Sequence, residues 1–152
     1  MIHLSPDQRH AICQQAEQAY PNECCGLLAG ITNGDGSITV TRVRPSPNTL
    51  IGQGGGDARR GGQDRFEVDP QVRFDLMRAL NDTSESIIGH YHSHPDHPAE
   101  PSQHDLDMAF EPDLTWLIAS VSNGRATDIR AWRLNRDSRE ILSVPLETSE
   151  NS

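Results

Sequence analysis

Five of the seven histidines, His90, His92, His94, His97 and His104, crowd into one short stretch of the chain. Core packing accounts poorly for this, because every buried imidazole needs a hydrogen-bond partner. A metal ion accounts for it better. Ser86-Ile-Ile-Gly-His-Tyr-His-Ser-His94 reads as a β-strand, and side chains on a strand alternate between faces. His92 and His94 therefore project together, able to converge on one ion at the ~2.0–2.1 Å Zn–N distance, and His90 shares their face. A third ligand has to come from another element. The segment from Pro95 to Pro101 is a proline-bounded loop that turns the chain back, and a helix is expected from Ser102 to about Phe110. Asp105, in its first turn, would complete a His-His-Asp site with one open position.

Two other readings of the same residues stand beside this one. Ser102-Gln-His-Asp105 has the spacing of a helix N-terminal cap, in which a serine is followed three residues later by an acid. In addition, His92-Ser-His94-Pro-Asp96-His97 satisfies the His-x-His-x-Asp-His pattern of metallo-β-lactamase-type hydrolases. Those enzymes need a longer chain with further histidine and carboxylate ligands downstream, whereas the last histidine here is His104. Replacement of Asp96 separates the two metal readings.

The elements that must hold these residues follow from local signals. Ser5-Pro6-Asp7-Gln8 combines an N-cap, a proline at the first helical position and a capping-box glutamine, so a helix is expected to run to about Tyr20. Glu23–Ile31 and Ser37–Arg44 flank the turn Asn33-Gly-Asp-Gly36 and form a β-hairpin. The insertion at 49–64 is rich in glycine and shows no side-chain period; it lacks the Lys-Ser/Thr of a phosphate-binding loop and reads as a flexible segment. Arg65–Val68 reads as a short strand. A second helix opens at Asp69-Pro70, with Val72, Phe74, Leu76, Met77 and Leu80 on its apolar face, and ends near Asp82. Strands at Leu114–Val121, Asp128–Leu134 and Glu140–Leu146 complete a mixed sheet, and Glu147–Ser152 is expected to fray. The 152 residues have room for one domain, spanning 1–146.

Composition narrows the function. A net charge of −9, with thirteen scattered arginines and no lysine, argues against nucleic acid as a partner. No run approaches the ~20 apolar residues of a membrane span, and Met1–Pro6 lacks the basic and apolar regions of a signal peptide, so the cytoplasm is expected. Cys13, Cys24 and Cys25 fit a reducing compartment without structural disulfides. The adjacent Cys24 and Cys25, like Trp116 and Trp132, are read as packing residues.

Taken together, His92-Ser-His-Pro, six residues, then Ser102-x-x-Asp105, preceded by Pro21-Asn-Glu23-Cys-Cys-Gly-Leu-Leu-Ala-Gly30, resembles the signature of the JAMM, or MPN-plus, zinc metalloproteases. The resemblance spans nearly the whole chain. It implies a single-domain α/β MPN fold, a curved mixed β-sheet flanked by helices. It also implies Zn2+ on His92, His94 and Asp105, Glu23 as general base and then acid, and Ser102 as donor to the oxyanion. Among members of that family, the short single-domain form looks like the prokaryotic Mec-like enzymes acting on ubiquitin-like sulfur carriers, which remove an amino acid, a cysteine adduct or a short extension after a C-terminal Gly-Gly. The alternative is a non-catalytic MPN scaffold, which zinc content distinguishes from an enzyme. Purely structural zinc conflicts with only three evident protein ligands.

Overall fold

The computed structural model describes residues 1–49, 66–103, 105, 114–135 and 140–148. Nearly all of the glycine-rich insertion at 49–64, most of the helix expected over 102–110, and residues 149–152 lie outside the described residues.

Ser5 caps α1 (Pro6–Ala19): its hydroxyl accepts from the Gln8 N–H while the Gln8 side chain accepts from the Ser5 N–H, which satisfies two of the amides every helix start leaves open. The strands are β1 (Ile2–Leu4), β2 (Cys25–Thr32), β3 (Ile38–Ser46), β4 (Ser86–Pro95), β5 (Thr115–Ser122), β6 (Arg125–Leu134), β7 (Ile141–Val144) and β8 (Leu146–Thr148), with α2 (Pro70–Leu80) between β3 and β4. They form one mixed sheet in the order β7-β6-β5-β4-β2-β3-β1-β8. β4 runs parallel to β5 and antiparallel to β2, so the histidine strand is paired on both sides.

The two helices cover opposite faces. On one, Ile12 and Ala16 of α1, one helical turn apart, pack with Leu28, Val40, Tyr91, Leu117 and Ile129. On the other, Leu76 and Leu80 of α2 pack with Leu27, Ala29 and Ile87. A bulge in the β2–β4 pairing, where Leu28 faces Gly89 but Ala29 faces Ile87, shifts the strand's alternation by one residue. Ile88 and Tyr91 can thus both join the α1 core. His90, His92 and His94 are left to the other face.

Gly89 of β4 is paired with Thr115 of β5. A Cβ there would lie 1.9 Å from the carbonyl oxygen of Thr115, a backbone atom that cannot turn aside. Gly89→Ala is therefore expected to destabilise the fold by about 3 kcal/mol or more, at the upper end of overpacking costs, read as a lowered denaturant midpoint.

Four expectations are corrected. Glu140–Leu146 is not one strand: Pro145, which has no N–H for a ladder, ends β7 on β6 and starts β8 on β1. Nor does the tail fray from Glu147, because Glu147 and Thr148 pair with His3 and Leu4. Of the strand expected over Arg65–Val68, Arg65 lies outside the described residues, and in place of a strand over 66–68, Val68 forms an isolated bridge with Asn48. Finally, Phe74 and Met77 do not join the buried face of α2; they are 55% and 56% exposed. The buried stripe repeats every four residues through Val72, Leu76 and Leu80, and that rotation carries Phe74 to the far side of the helix. Because β7 and β8 are separated by one residue yet form opposite margins of the sheet, the sheet curls until those margins meet at Pro145, whose carbonyl accepts from the Ile2 N–H at 2.9 Å.

Candidate metal centre

His92 is fully buried where β4 is paired with both β2 and β5, and His94 nearly so, two residues on and opposite Ser120 of β5. The His94 Nδ1 lies 2.9 Å from the Pro98 carbonyl and donates to it, which leaves the Nε2 lone pair free for a cation. Phe66 stacks on the His92 ring, with centroids 4.3 Å apart and planes at 16°, and fixes its orientation. The loop carrying Pro98 is itself anchored: Trp132 Nε1 donates to the Ala99 carbonyl at 2.9 Å and the Ser120 hydroxyl to that of His97 at 2.5 Å.

Asp105 reaches the same point. Its Oδ2 lies 3.3 Å from His92 Nε2 and 3.0 Å from His94 Nε2, and the two imidazole nitrogens are 3.1 Å apart. The capping reading holds as well: the Ser102 N–H donates to that same Oδ2 at 2.9 Å, and the Asp105 N–H donates to the Ser102 hydroxyl at 3.1 Å. The cap and the cluster are thus two uses of one carboxylate. Since Ser102 Oγ acts as acceptor in the cap, its own proton stays available, and capping does not compete with donation to a substrate.

Burial would raise the Asp105 carboxyl, but the facing imidazoles and the Ser102 N–H outweigh it and hold the carboxyl well below the usual range. Burial pushes His92 below its ordinary value, against the pull of Asp105. Both directions favour the forms that bind a metal, a carboxylate and a neutral imidazole.

The donor set passes a geometric test for zinc. Tetrahedral ligands at ~2.0–2.1 Å from an ion are about 3.3 Å from one another, and the three separations here are 3.1, 3.3 and 3.0 Å. Two imidazoles and one carboxylate also suit zinc chemically. Glu23, 3% exposed and two residues ahead of β2, brings a carboxylate oxygen within 4.8 Å of the His92 and His94 nitrogens. All five residues singled out in the sequence therefore gather in one place.

The remaining histidines and the rival motif sort themselves by position. His90 stays beside the cluster, its ring 5.9 Å from that of His92 and 5.7 Å from Trp116. Asp96 points elsewhere: its carboxylate accepts from the Tyr20 hydroxyl at 2.6 Å and the Asn123 N–H at 3.1 Å. Asp96→Asn is accordingly expected to keep wild-type zinc stoichiometry, measured by atomic emission after gel filtration; metal loss would revive the His-x-His-x-Asp-His reading. The packing assignment of Cys24 and Cys25 fits their burial, which pushes the thiols up to about 11 and about 12. The sequence assigned no role to Phe66, Asn48 or Ser93 around the cluster, although Ser93 lies within the His92-Ser-His-Pro motif.

A curled mixed sheet between two helices, with a histidine–carboxylate cluster at the end of its central strand, is the α/β architecture of the JAB/MPN fold. Residues 5–135 match the Prok-JAB family, the prokaryotic homologs of the JAB domain, and the chain belongs to that family. It is 30% identical over 150 residues to the desampylase of Haloferax volcanii, covering 96% of each chain. It is 27% identical over 134 residues to the CysO-cysteine peptidase of Mycobacterium tuberculosis, covering 86% of this chain and 81% of the relative. A Desulfitobacterium hafniense protein solved in solution shares the fold with a TM-score of 0.80 and 29% identity, over 99% of this chain and 94% of the other. Among the described residues no helix is long and apolar enough to cross a membrane.

Proposed function

We propose that this protein is a zinc-dependent peptidase or isopeptidase that hydrolyses the bond following the C-terminal Gly-Gly of a ubiquitin-like or sulfur-carrier protein. The observation that carries this reading is the approach of His92 Nε2, His94 Nε2 and Asp105 Oδ2 to within 3.0–3.3 Å of one another, with the Glu23 carboxylate alongside. The names of the relatives, a desampylase and a CysO-cysteine peptidase, support the substrate class. The three free cysteines and the acidic surface fit a cytoplasmic enzyme whose partner is a protein rather than a nucleic acid.

His92, His94 and Asp105 would hold the ion, with Glu23 outside the ligand set. When bound, Zn2+ supplies Lewis acidity and makes water a competent nucleophile near neutral pH. Glu23 accepts one proton from the attacking water as the water oxygen bonds to the carbonyl carbon of the terminal glycine. The Ser102 hydroxyl donates to the oxyanion that develops there, a contact worth about 2.7–4 kcal/mol for a single well-placed donor. Glu23 then gives its proton to the leaving nitrogen as the C–N bond breaks, and the second water proton, left on the new carboxyl group, passes to the amine, so the carrier leaves with a free Gly-Gly carboxylate and the extension with an ammonium. Selection for two glycines follows from excluding side chains along an extended tail.

The test is to incubate wild type and Glu23→Ala with ubiquitin-like carriers extended beyond Gly-Gly by one cysteine or a short peptide, and to weigh the products. Loss of the extension with wild type alone is the expected result. Cleavage of none of the carriers would overturn the substrate assignment.

A further inference from the structure

Glu23 must hold its carboxylate beside the cluster without help from the sheet ladder, since β2 begins only at Cys25. What fixes it is the peptide unit joining it to Cys24. The Glu23 carbonyl accepts from Asn48 Nδ2 at 3.1 Å, and the N–H at the other end of the same peptide unit, that of Cys24, donates to Ser93 Oγ at 2.7 Å. The Ser93 N–H returns a bond to the Cys24 carbonyl at 3.1 Å. Both side chains are buried, Ser93 completely.

Each of these groups is itself held in place. Asn48 Oδ1 accepts from the Glu67 N–H at 3.1 Å. Flipping the amide would set an N–H against an N–H and an oxygen against the Glu23 carbonyl, so only one orientation satisfies both neighbours. Ser93 lies between His92 and His94 on a strand paired along both sides, with its hydroxyl on the face opposite the imidazoles. A peptide plane gripped at its carbonyl and its N–H resists rotation, and because the Glu23 Cα lies in that plane, the point from which the Glu23 side chain reaches toward the cluster is held.

We propose that Asn48 and Ser93 are positioning residues that clamp the Glu23–Cys24 peptide plane and so aim the Glu23 carboxylate at the His92–His94 cluster. The inference rests on the reading in which Glu23 moves the proton. It assigns the serine between the two histidines to the general base rather than to the metal.

The test uses the zinc-loaded full chain and a ubiquitin-like carrier extended after Gly-Gly by one cysteine, with Ser93→Ala, Ser93→Thr, Asn48→Ala, Glu23→Gln and the Ser93→Ala/Glu23→Gln double variant. In Ser93→Ala, zinc per chain should equal wild type, KM should hold, kcat should fall about 10- to 100-fold, and hydrogen exchange at the Cys24 amide should speed up at least tenfold. Ser93→Thr, which keeps the hydroxyl, should restore most of kcat. In the Glu23→Gln background the serine change should cost little further, because its effect passes through Glu23. An equal loss in both backgrounds, a loss explained by missing zinc, or unchanged kcat in Ser93→Ala would each overturn the clamp. Should Ser93→Ala fail to fold, Asn48→Ala is judged by the same criteria. Full turnover in Glu23→Gln would instead sink the catalytic reading itself, so the two failures are distinguishable.

Discussion

Glu23→Gln is expected to bind zinc as wild type does while kcat falls by about 10²- to 10⁴-fold, the range over which a positioned general base contributes. The substitution keeps the shape of a side chain that is only 3% exposed, so packing around it should persist. What it removes is proton affinity: a carboxamide accepts a hydrogen bond but cannot take up the water's proton or return it to the leaving nitrogen. KM should change little, because the carrier's tail binds through contacts that remain. Single-turnover cleavage measured alongside zinc content checks this, and wild-type turnover in the variant would exclude Glu23 from the chemistry.

The second large effect is expected at His92. His92→Ala removes one of the three proposed donors and the surface on which Phe66 stacks. It leaves His94 and Asp105 facing a space where a third ligand stood, and zinc stoichiometry should drop from about one per chain to near zero with turnover lost. Thermal unfolding supplies a readout that does not depend on substrate. A ligand at 1,000 times its dissociation constant stabilises the folded state by about 4 kcal/mol, which for a domain of this size raises Tm by roughly 10 °C. Wild type should show that zinc-dependent rise and His92→Ala none.

Acid should reproduce part of the same loss. The His92 imidazole has its folded pKa lowered by burial from the ordinary 6.5, so as pH falls below 6.5 the unfolded chain takes up the proton first and stability declines. Asp105, also lowered in the folded state, adds stability that is present above the ordinary carboxyl value and is lost only as pH falls beyond it. Zinc release on acidification should therefore begin with the His92 imidazole, at a midpoint below pH 6.5.

The parts of this site that could be read from the sequence are those governed by a local period. His92 and His94 share a face because strands alternate, and Asp105 lies three residues after Ser102 because a helix start uses that spacing. The hairpin around Asn33–Gly36 and the capped start of α1 were legible for similar reasons. Glu23 was accessible only through the resemblance, since no periodicity links a residue two positions ahead of β2 to the end of β4. Asn48 carried no sequence signal, and Ser93 appeared only as a letter of the His92-Ser-His-Pro motif without a role; the contacts of both exist only once two distant segments meet. The start of β6 at Arg125, three residues ahead of the expected Asp128, was written in the sequence. Asn123 and Gly124, with φ of 52° and 84°, make the two-residue turn that joins it to β5. The placement of β7 and β8 at opposite margins could not have been found this way, because strand order in a sheet depends on pairings made across the whole chain.

The meeting of those margins at Pro145 bears on how the protein reaches its folded state. β1 pairs with β8, so the first strand waits for a partner almost the full chain length away, whereas β2, β4 and β5, which carry the cluster, pair within the middle of the chain. Contacts of such high sequence separation carry the largest loop-closure cost and slow the search. The histidine strand can therefore find its neighbours before the sheet margins zip together around the candidate metal centre.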